Sequence, residues 1–193
     1  MQHPTPHRRM PHRCSTFTLA ALLAGGVAAA PAAAQVQSQD VETVEAPVVG
    51  VDGEEIGLLV LRGGANGVVA RLTIEAGRLA TGWHAAHFHS VGDCSDAPEF
   101  QASRGHIASD GAMHGFLHPE GPEAGDLANF YVGEGGAAVA EFATTLVTFD
   151  GDPALFDEDG SALVIHERPD DHVTQPIGGA GGRVACAVIE RGR

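Results

Sequence analysis

Histidine is the residue type with the most chemical potential in this chain of 193 residues, which holds eleven of them. Eight fall in one stretch, at His84, His87, His89, His106, His114, His118, His166 and His172, among many acidic side chains. Imidazoles and carboxylates together are the donors of metal sites. His87 and His89 are two apart in GWHAAHFHS, so on a strand both rings leave the same face and can meet one ion. That pair alone is a weak signal, because paired strand histidines are common without a metal. The following loop strengthens it. In RGHIASDGAMHGFLHPEGPEAGDLANF, the residues His106, His114, Glu123 and Asp126 are separated by 8, 9 and 3 positions, with glycines that let the loop fold back. Three or four such donors in one loop suit zinc. His166 ends the apolar run SALVIH, where it can complete a nitrogen-rich site of the kind that favours copper.

The remaining candidates have plainer readings. His84, three before His87, falls on the opposite strand face and reads as structural, and His172 sits in a polar loop and reads as solvated. His118 lies close enough to position 123 to stand as an alternative zinc donor. Trp83 and Phe88 read as packing residues. GGAGG at 178–182 is a turn-forming stretch and not a phosphate loop, since no helix pattern follows it.

The elements that must position these residues are strands. Val68, Ala70, Leu72 and Ile74 alternate with Val69, Arg71, Thr73 and Glu75, the period of a strand with one buried face. Glycine-rich turns punctuate such runs: RGGANG separates 56–61 from 68–75, and GEGG separates 129–132 from 137–149. Later strands are expected at 162–166 and 184–189. Short strands, many turns and 26 glycines argue for an all-β antiparallel sandwich or barrel. Two long irregular stretches, 89–126 and 167–182, interrupt the rhythm, and long loops on a β scaffold are where sites sit.

With these residues in view, GWHAAHFHSVGDC, the loop quoted above and SALVIHERPDDHVTQPIGGAGGRVACAVIE resemble the signature segments of the copper/zinc superoxide dismutase family, in order and with its zinc-loop spacing, from about Val48 to Glu190. The resemblance implies a Greek-key, immunoglobulin-like sandwich or barrel with two functional loops. It implies copper held by His87, His89, His106 and His166. It also implies zinc held by His106, His114, Asp126 and the residue at 123, with His106 bridging the two ions. The family has histidine where this chain has Glu123, and a carboxylate oxygen is expected to serve there instead. Asp170 matches the carboxylate that joins a copper ligand to a zinc ligand, here His87 to His114. Arg183 matches the arginine that docks the anion, and Cys94 and Cys186 match the family disulfide. The implied reaction converts two superoxide anions and two protons to oxygen and hydrogen peroxide by cycling of the copper, with Arg183 and His106 as the catalytic residues. The alternative is a non-catalytic periplasmic module that only binds copper or zinc; it needs the histidines but not Arg183.

Residues 1–34 read as a secretory signal peptide: Arg8, Arg9 and Arg13 precede the apolar run FTLAALLAGGVAAA, and Ala32, Ala33 and Ala34 offer a cleavage site. The run is short for a membrane span, so no membrane association is expected after cleavage. Residues 35–46 read as a flexible lead-in and 47–193 as the domain. Removal of 1–34 leaves eight basic residues, all arginine, against 25 acidic ones, a formal charge of −17. Nucleic acid and anionic membranes are therefore poor partners. Cys94 and Cys186 remain as an even pair in a chain bound for an oxidising compartment, the periplasm or the exterior, and read as one disulfide or, alternatively, as two buried thiols. A homodimer is compatible with the sequence and not indicated by it.

Overall fold

Alternation makes Gly67–Ile74 a strand with one buried face: Val68, Ala70, Leu72 and Ile74 are buried while Val69, Arg71 and Thr73 face solvent. The computed structural model describes residues 41–192, and the expected signal peptide lies outside them. The strands are β1 (Glu42–Gly50), β2 (Glu55–Gly64), β3 (Gly67–Ile74), β4 (Gly82–His84), β5 (Ala86–His89), β6 (Phe130–Val132), β7 (Ala138–Thr144), β8 (Ser161–His166) and β9 (Arg183–Ile189). Seven form one sheet in the order β5-β8-β9-β1-β2-β3-β7, and β4 pairs with β6 in a separate ribbon. All pairings between strands are antiparallel. Phe88 on β5 and Phe142 on β7, from the two ends of that order, belong to one core cluster with Leu59, Leu72, Phe130 and Leu163. Opposite edges of a sheet can share a core only if the sheet curls, so the all-β barrel-like architecture expected from the sequence is present.

Three local expectations change. β1 begins at Glu42, so Glu42–Ala46, expected as the end of a flexible lead-in, are instead paired to β2. The strand expected over 137–149 ends at Thr144. GWHAAHFH is two strands and not one. At Ala85 the chain leaves β6 for β8: its N–H donates to Arg168 O and its carbonyl accepts from His166 N, both at 2.9 Å.

Every residue of β5 and β8 is buried, so both faces of this edge are covered. Phe88, Leu163 and Ile165 face the main core. Ala162 and Val164, on the other face, pack with Phe100 and Cys186 under the loop that follows β5. Cys94 and Cys186 form a disulfide with a Cα–Cα distance of 5.8 Å, which ties that loop to β9. The outer face of β5 and β8 is thus a sealed floor on which the histidines stand.

Candidate metal centre

With Phe88 committed to the core, strand geometry sends His87 and His89 out of the opposite face. His87 pairs with Val164 and His89 with Ala162, which places His166 beyond them at the end of β8. The loop after β5 then returns over this face. His89 pairs with His106 and His87 with Asp126. The crossing is tight: Phe88 N donates to Gly125 O (2.8 Å), Gly125 N to Ile107 O (2.7 Å) and Ile107 N to Phe88 O (2.9 Å). A Cβ on Gly125 would run into Phe88 O, so only glycine lets the loop approach so closely.

The result is two four-donor groups that share one ring. His87, His89, His106 and His166 each bring a ring nitrogen to within 4.8 Å of the others, and His106, His114, Glu123 and Asp126 do the same with nitrogens and carboxylate oxygens. In the first group the outward-facing nitrogens are held: His87 Nε2 by Asp170 Oδ2 (3.0 Å), His89 Nδ1 by Arg104 O (2.8 Å) and His166 Nδ1 by Gly181 O (3.2 Å). The other nitrogen of each ring, His87 Nδ1, His89 Nε2 and His166 Nε2, is buried without a hydrogen-bond partner, and so is His106 Nε2. Four converging, buried, unpaired imidazole nitrogens would be costly in any other use. A metal ion that accepts imidazole nitrogen would satisfy all four.

The second group faces the other side of His106. His106 Nδ1 lies 2.8 Å from Glu123 Oε2 and 3.4 Å from Asp126 Oδ1, while His114 Nδ1 lies 2.7 Å from Asp126 Oδ1 and 3.7 Å from Glu123 Oε2. Contacts this short need a proton or a cation between donor atoms, which is the setting of a zinc site. Asp126 is aimed by its second oxygen, Oδ2, which accepts from Gly115 N (2.7 Å) and Glu123 N (3.0 Å). His118 stands outside both groups, and its Nδ1 accepts from Glu120 N at 3.2 Å within its own turn.

Asp170 spans the two groups, with Oδ2 on His87 Nε2 and Oδ1 on His114 Nε2 (3.1 Å). It is itself held by an exchange with Asn129, whose Nδ2 donates to Asp170 O and whose Oδ1 accepts from Asp170 N, both at 2.8 Å. Gln175 clasps the His114 backbone in the same way. Nothing in the sequence pattern singles out Asn129 or Gln175, since each is a lone amide in a loop. His172, expected to be solvated, instead packs against Phe116 and donates its backbone N–H to Asp170 Oδ1 (2.6 Å). His84 is structural as expected: its ring bonds His166 O (2.7 Å) and Ala80 O (2.8 Å). Phe88 is in the core, whereas Trp83 is more than half exposed and meets the edge of Tyr131.

Arg183 opens β9 and fixes its guanidinium on Phe100 O, Ser103 Oγ (2.9 Å) and Arg104 O (2.7 Å). The Arg104 carbonyl therefore accepts from both Arg183 and His89. It is turned inward by a backbone with φ 66 and ψ −144, a conformation rarely adopted by residues other than glycine.

Charge separates the two groups. Burial pushes His87, His89 and His166 down to about 4, 2 and 3, so their rings are neutral and ready to ligate. The Arg183 charge lowers His89 and His166 further. Around His114 burial acts in the same direction, but the Asp126 and Asp170 carboxylates outweigh it and raise the ring to about 10. His106 is likewise raised by Asp126 and Glu123 against its burial. Asp126 and Asp170 are held below the usual carboxylate range by hydrogen bonds from these rings and from backbone N–H groups, which outweigh burial. The second group is thus built to hold positive charge.

Residues 57–189 match the family model described as copper/zinc superoxide dismutase. The chain belongs to the copper/zinc superoxide dismutase family. It is 45% identical over 143 residues to a superoxide dismutase [Cu-Zn] of Caulobacter vibrioides, covering 72% of this chain and 80% of that protein. It is 39% identical over 154 residues to superoxide dismutase [Cu-Zn] 2 of Aquifex aeolicus, covering 79% and 88%. Among solved structures, the Cu/Zn superoxide dismutase from Brucella abortus aligns with a TM-score of 0.61 at 25% identity, over 77% of this chain and 100% of that one. A SOD-like protein from Bacillus subtilis aligns with a TM-score of 0.67 at 28% identity, over 75% and 96%. Copper and zinc are the cofactors of this family, and its enzymes are superoxide dismutases.

Proposed function

We propose that this chain dismutes superoxide at a copper held by His87, His89, His106 and His166, beside a zinc held by His106, His114, Glu123 and Asp126. The observation that carries this reading is the set of four buried, unpartnered imidazole nitrogens gathered around one point, one of them on the ring that faces the second group. The bound copper would supply the one-electron couple, taking an electron from one superoxide and giving it to the next.

The protein residues do the rest. Arg183, charged at any relevant pH, docks the anion through its guanidinium beside His89 and His166. His106 carries a proton at Nε2 while that nitrogen is not ligating, and its Nδ1 is kept on the zinc side by Glu123 and Asp126. Asp170 fixes the tautomers of His87 and His114 so that both present lone pairs to the ions. Two superoxides and two protons leave as oxygen and hydrogen peroxide. The bacterial relatives, the disulfide and the basic-apolar leader support a periplasmic or secreted location.

Metal analysis of purified protein coupled to a superoxide-decay assay tests this directly. The expected result is both metals bound and decay well above that of free copper at the same concentration. Fully metallated protein with no such excess would overturn the reading. Arg183→Ala is expected to slow decay while copper stays bound; an unchanged rate would remove the docking role alone.

A further inference from the structure

Glu123 gives the second group a composition whose consequence goes beyond holding zinc. Its donors are two imidazoles and two carboxylates, whereas the first group offers four imidazoles and no charge. The two groups are joined through one ring, and the centroids of His87 in the first and His114 in the second are only 5.3 Å apart. An ion arriving at one site is therefore within reach of the other, and the chain needs a means of sorting them.

We propose that Glu123 makes the second site reject monovalent copper, so that the paired sites sort copper(I) from zinc by themselves. The inference rests on the two-site reading above. Two arguments carry it. A divalent ion between Glu123 and Asp126 is neutralised, whereas a monovalent ion there leaves a net negative charge in a site where His106, His114 and Asp126 are buried or nearly so, and uncompensated buried charge is unfavourable. Coulomb attraction also scales with ionic charge, so every added carboxylate favours M2+ over M+. Softness points the same way: copper(I) prefers soft donors and accepts imidazole, whereas carboxylate oxygen is hard.

The geometry shows why position 123 controls this. Asp126 presents only Oδ1 to the site, because Oδ2 is committed to Gly115 N and Glu123 N. Glu123 Oε2 is the other negative atom near both ring nitrogens, at 2.8 Å from His106 Nδ1 and 3.7 Å from His114 Nδ1. Its side chain is also the most exposed of the four donors, at 19%. A change at 123 therefore alters the charge of the site while leaving its buried framework in place.

The test uses metal-free full-length protein titrated anaerobically with copper(I) against a competing copper(I) chelator, with cobalt(II) as a spectroscopic probe of the second site. Wild type is expected to retain one copper(I) per chain and to bind cobalt(II) beside it. Glu123→His is expected to retain a second copper(I) at the same chelator concentration. Glu123→Gln keeps the shape and removes the charge; it should lower the cobalt(II)-over-copper(I) preference of the second site by at least about tenfold, since a charged ligand should count for no less than the partner that orients one. Wild type that takes up two copper(I) ions as readily as Glu123→His would overturn the sorting role and leave the two-site reading intact. Wild type that binds no cobalt(II) would overturn both.

Discussion

Asp170 is the residue through which one substitution should reach both metals, since its two oxygens orient His87 and His114 from outside the ligand sets. Asp170→Ala is expected to weaken zinc binding by about 10- to 100-fold, the usual cost of losing a carboxylate that orients a ligating imidazole. Chelator competition checks it, and equal affinity would show that the rings are oriented by packing alone. The histidines also set the pH response of the metal-free protein. Burial holds His87, His89 and His166 at about 4, 2 and 3, below the 6.5 of an exposed ring. The unfolded chain therefore binds more protons than the folded one as pH falls below 6.5, and stability falls with it. His114, raised to about 10, acts in the opposite direction: its contribution is complete below 6.5 and is lost as pH rises through about 10. Denaturant midpoints of metal-free protein should peak near neutrality and decline on both sides; a flat profile would contradict the assigned ring environments. At this scale the site was legible because side-chain chemistry leaves a trace in sequence. The carbonyls of Arg104 and Gly181, which hold His89 and His166, leave none, because any residue supplies a carbonyl.

Elements were legible where one face meets water. β3 was readable by alternation, because solvent selects the polar half of each pair, and β2 as an apolar run closed by a glycine-rich turn. β5 and β8 are buried on both faces and lose that contrast, so only the histidines marked the outer face. The start of β1 was missed because Glu42, Thr43 and Glu45 are polar and exposed, and a single apolar residue, Val44, is too little to mark a strand. The break at Ala85 was also hidden, since it depends on two backbone partners distant in sequence, the Arg168 carbonyl and the His166 N–H. Two predictions belong here. The Cys94–Cys186 link spans 92 residues, and its removal by paired alanine substitution should cost up to about 4 to 5 kcal/mol in the chain-entropy model. Urea unfolding of the two forms measures the loss, and equal midpoints would refute it. Gly125→Ala should push the returning loop off Phe88 O and come within 3.0 Å of Ile107 N. Asp126, the next residue, moves with it. The variant is expected to lose cobalt(II) binding at the second site while its strand content by circular dichroism is retained; full binding would show that the loop tolerates the shift.

At the scale of the whole molecule the difficulty is that an anion must reach a protein of formal charge −14, or −17 without residues 1–34. The distribution of arginines answers part of it. Arg71, Arg78, Arg168 and Arg191 are each within ion-pair distance of a carboxylate. Among the described residues Arg62, Arg104 and Arg183 are not in such a pair, and the last two meet at the candidate copper site through the Arg104 carbonyl. Arg183 therefore brings a positive charge beside the candidate copper site, where it lowers the His89 and His166 rings, with Asp96 as the carboxylate that acts on it. Range decides which field the anion meets. At about 0.01 M salt the screening length is about 30 Å, comparable to the whole domain, so the net negative charge repels superoxide. At about 0.1 M it shrinks to about 10 Å, distant carboxylates drop out and Arg183 remains effective. At about 1 M, with a length of about 3 Å, this charge too is screened. The superoxide-decay rate of metallated protein is thus expected to rise and then fall with added salt, and Arg183→Gln should flatten the falling limb without releasing copper. Pulse generation of superoxide across this salt range measures it. A rate that falls from the lowest salt onward would mean that the local cation outweighs the net charge at every distance, and a rate that only rises would mean that Arg183 attracts nothing beyond contact.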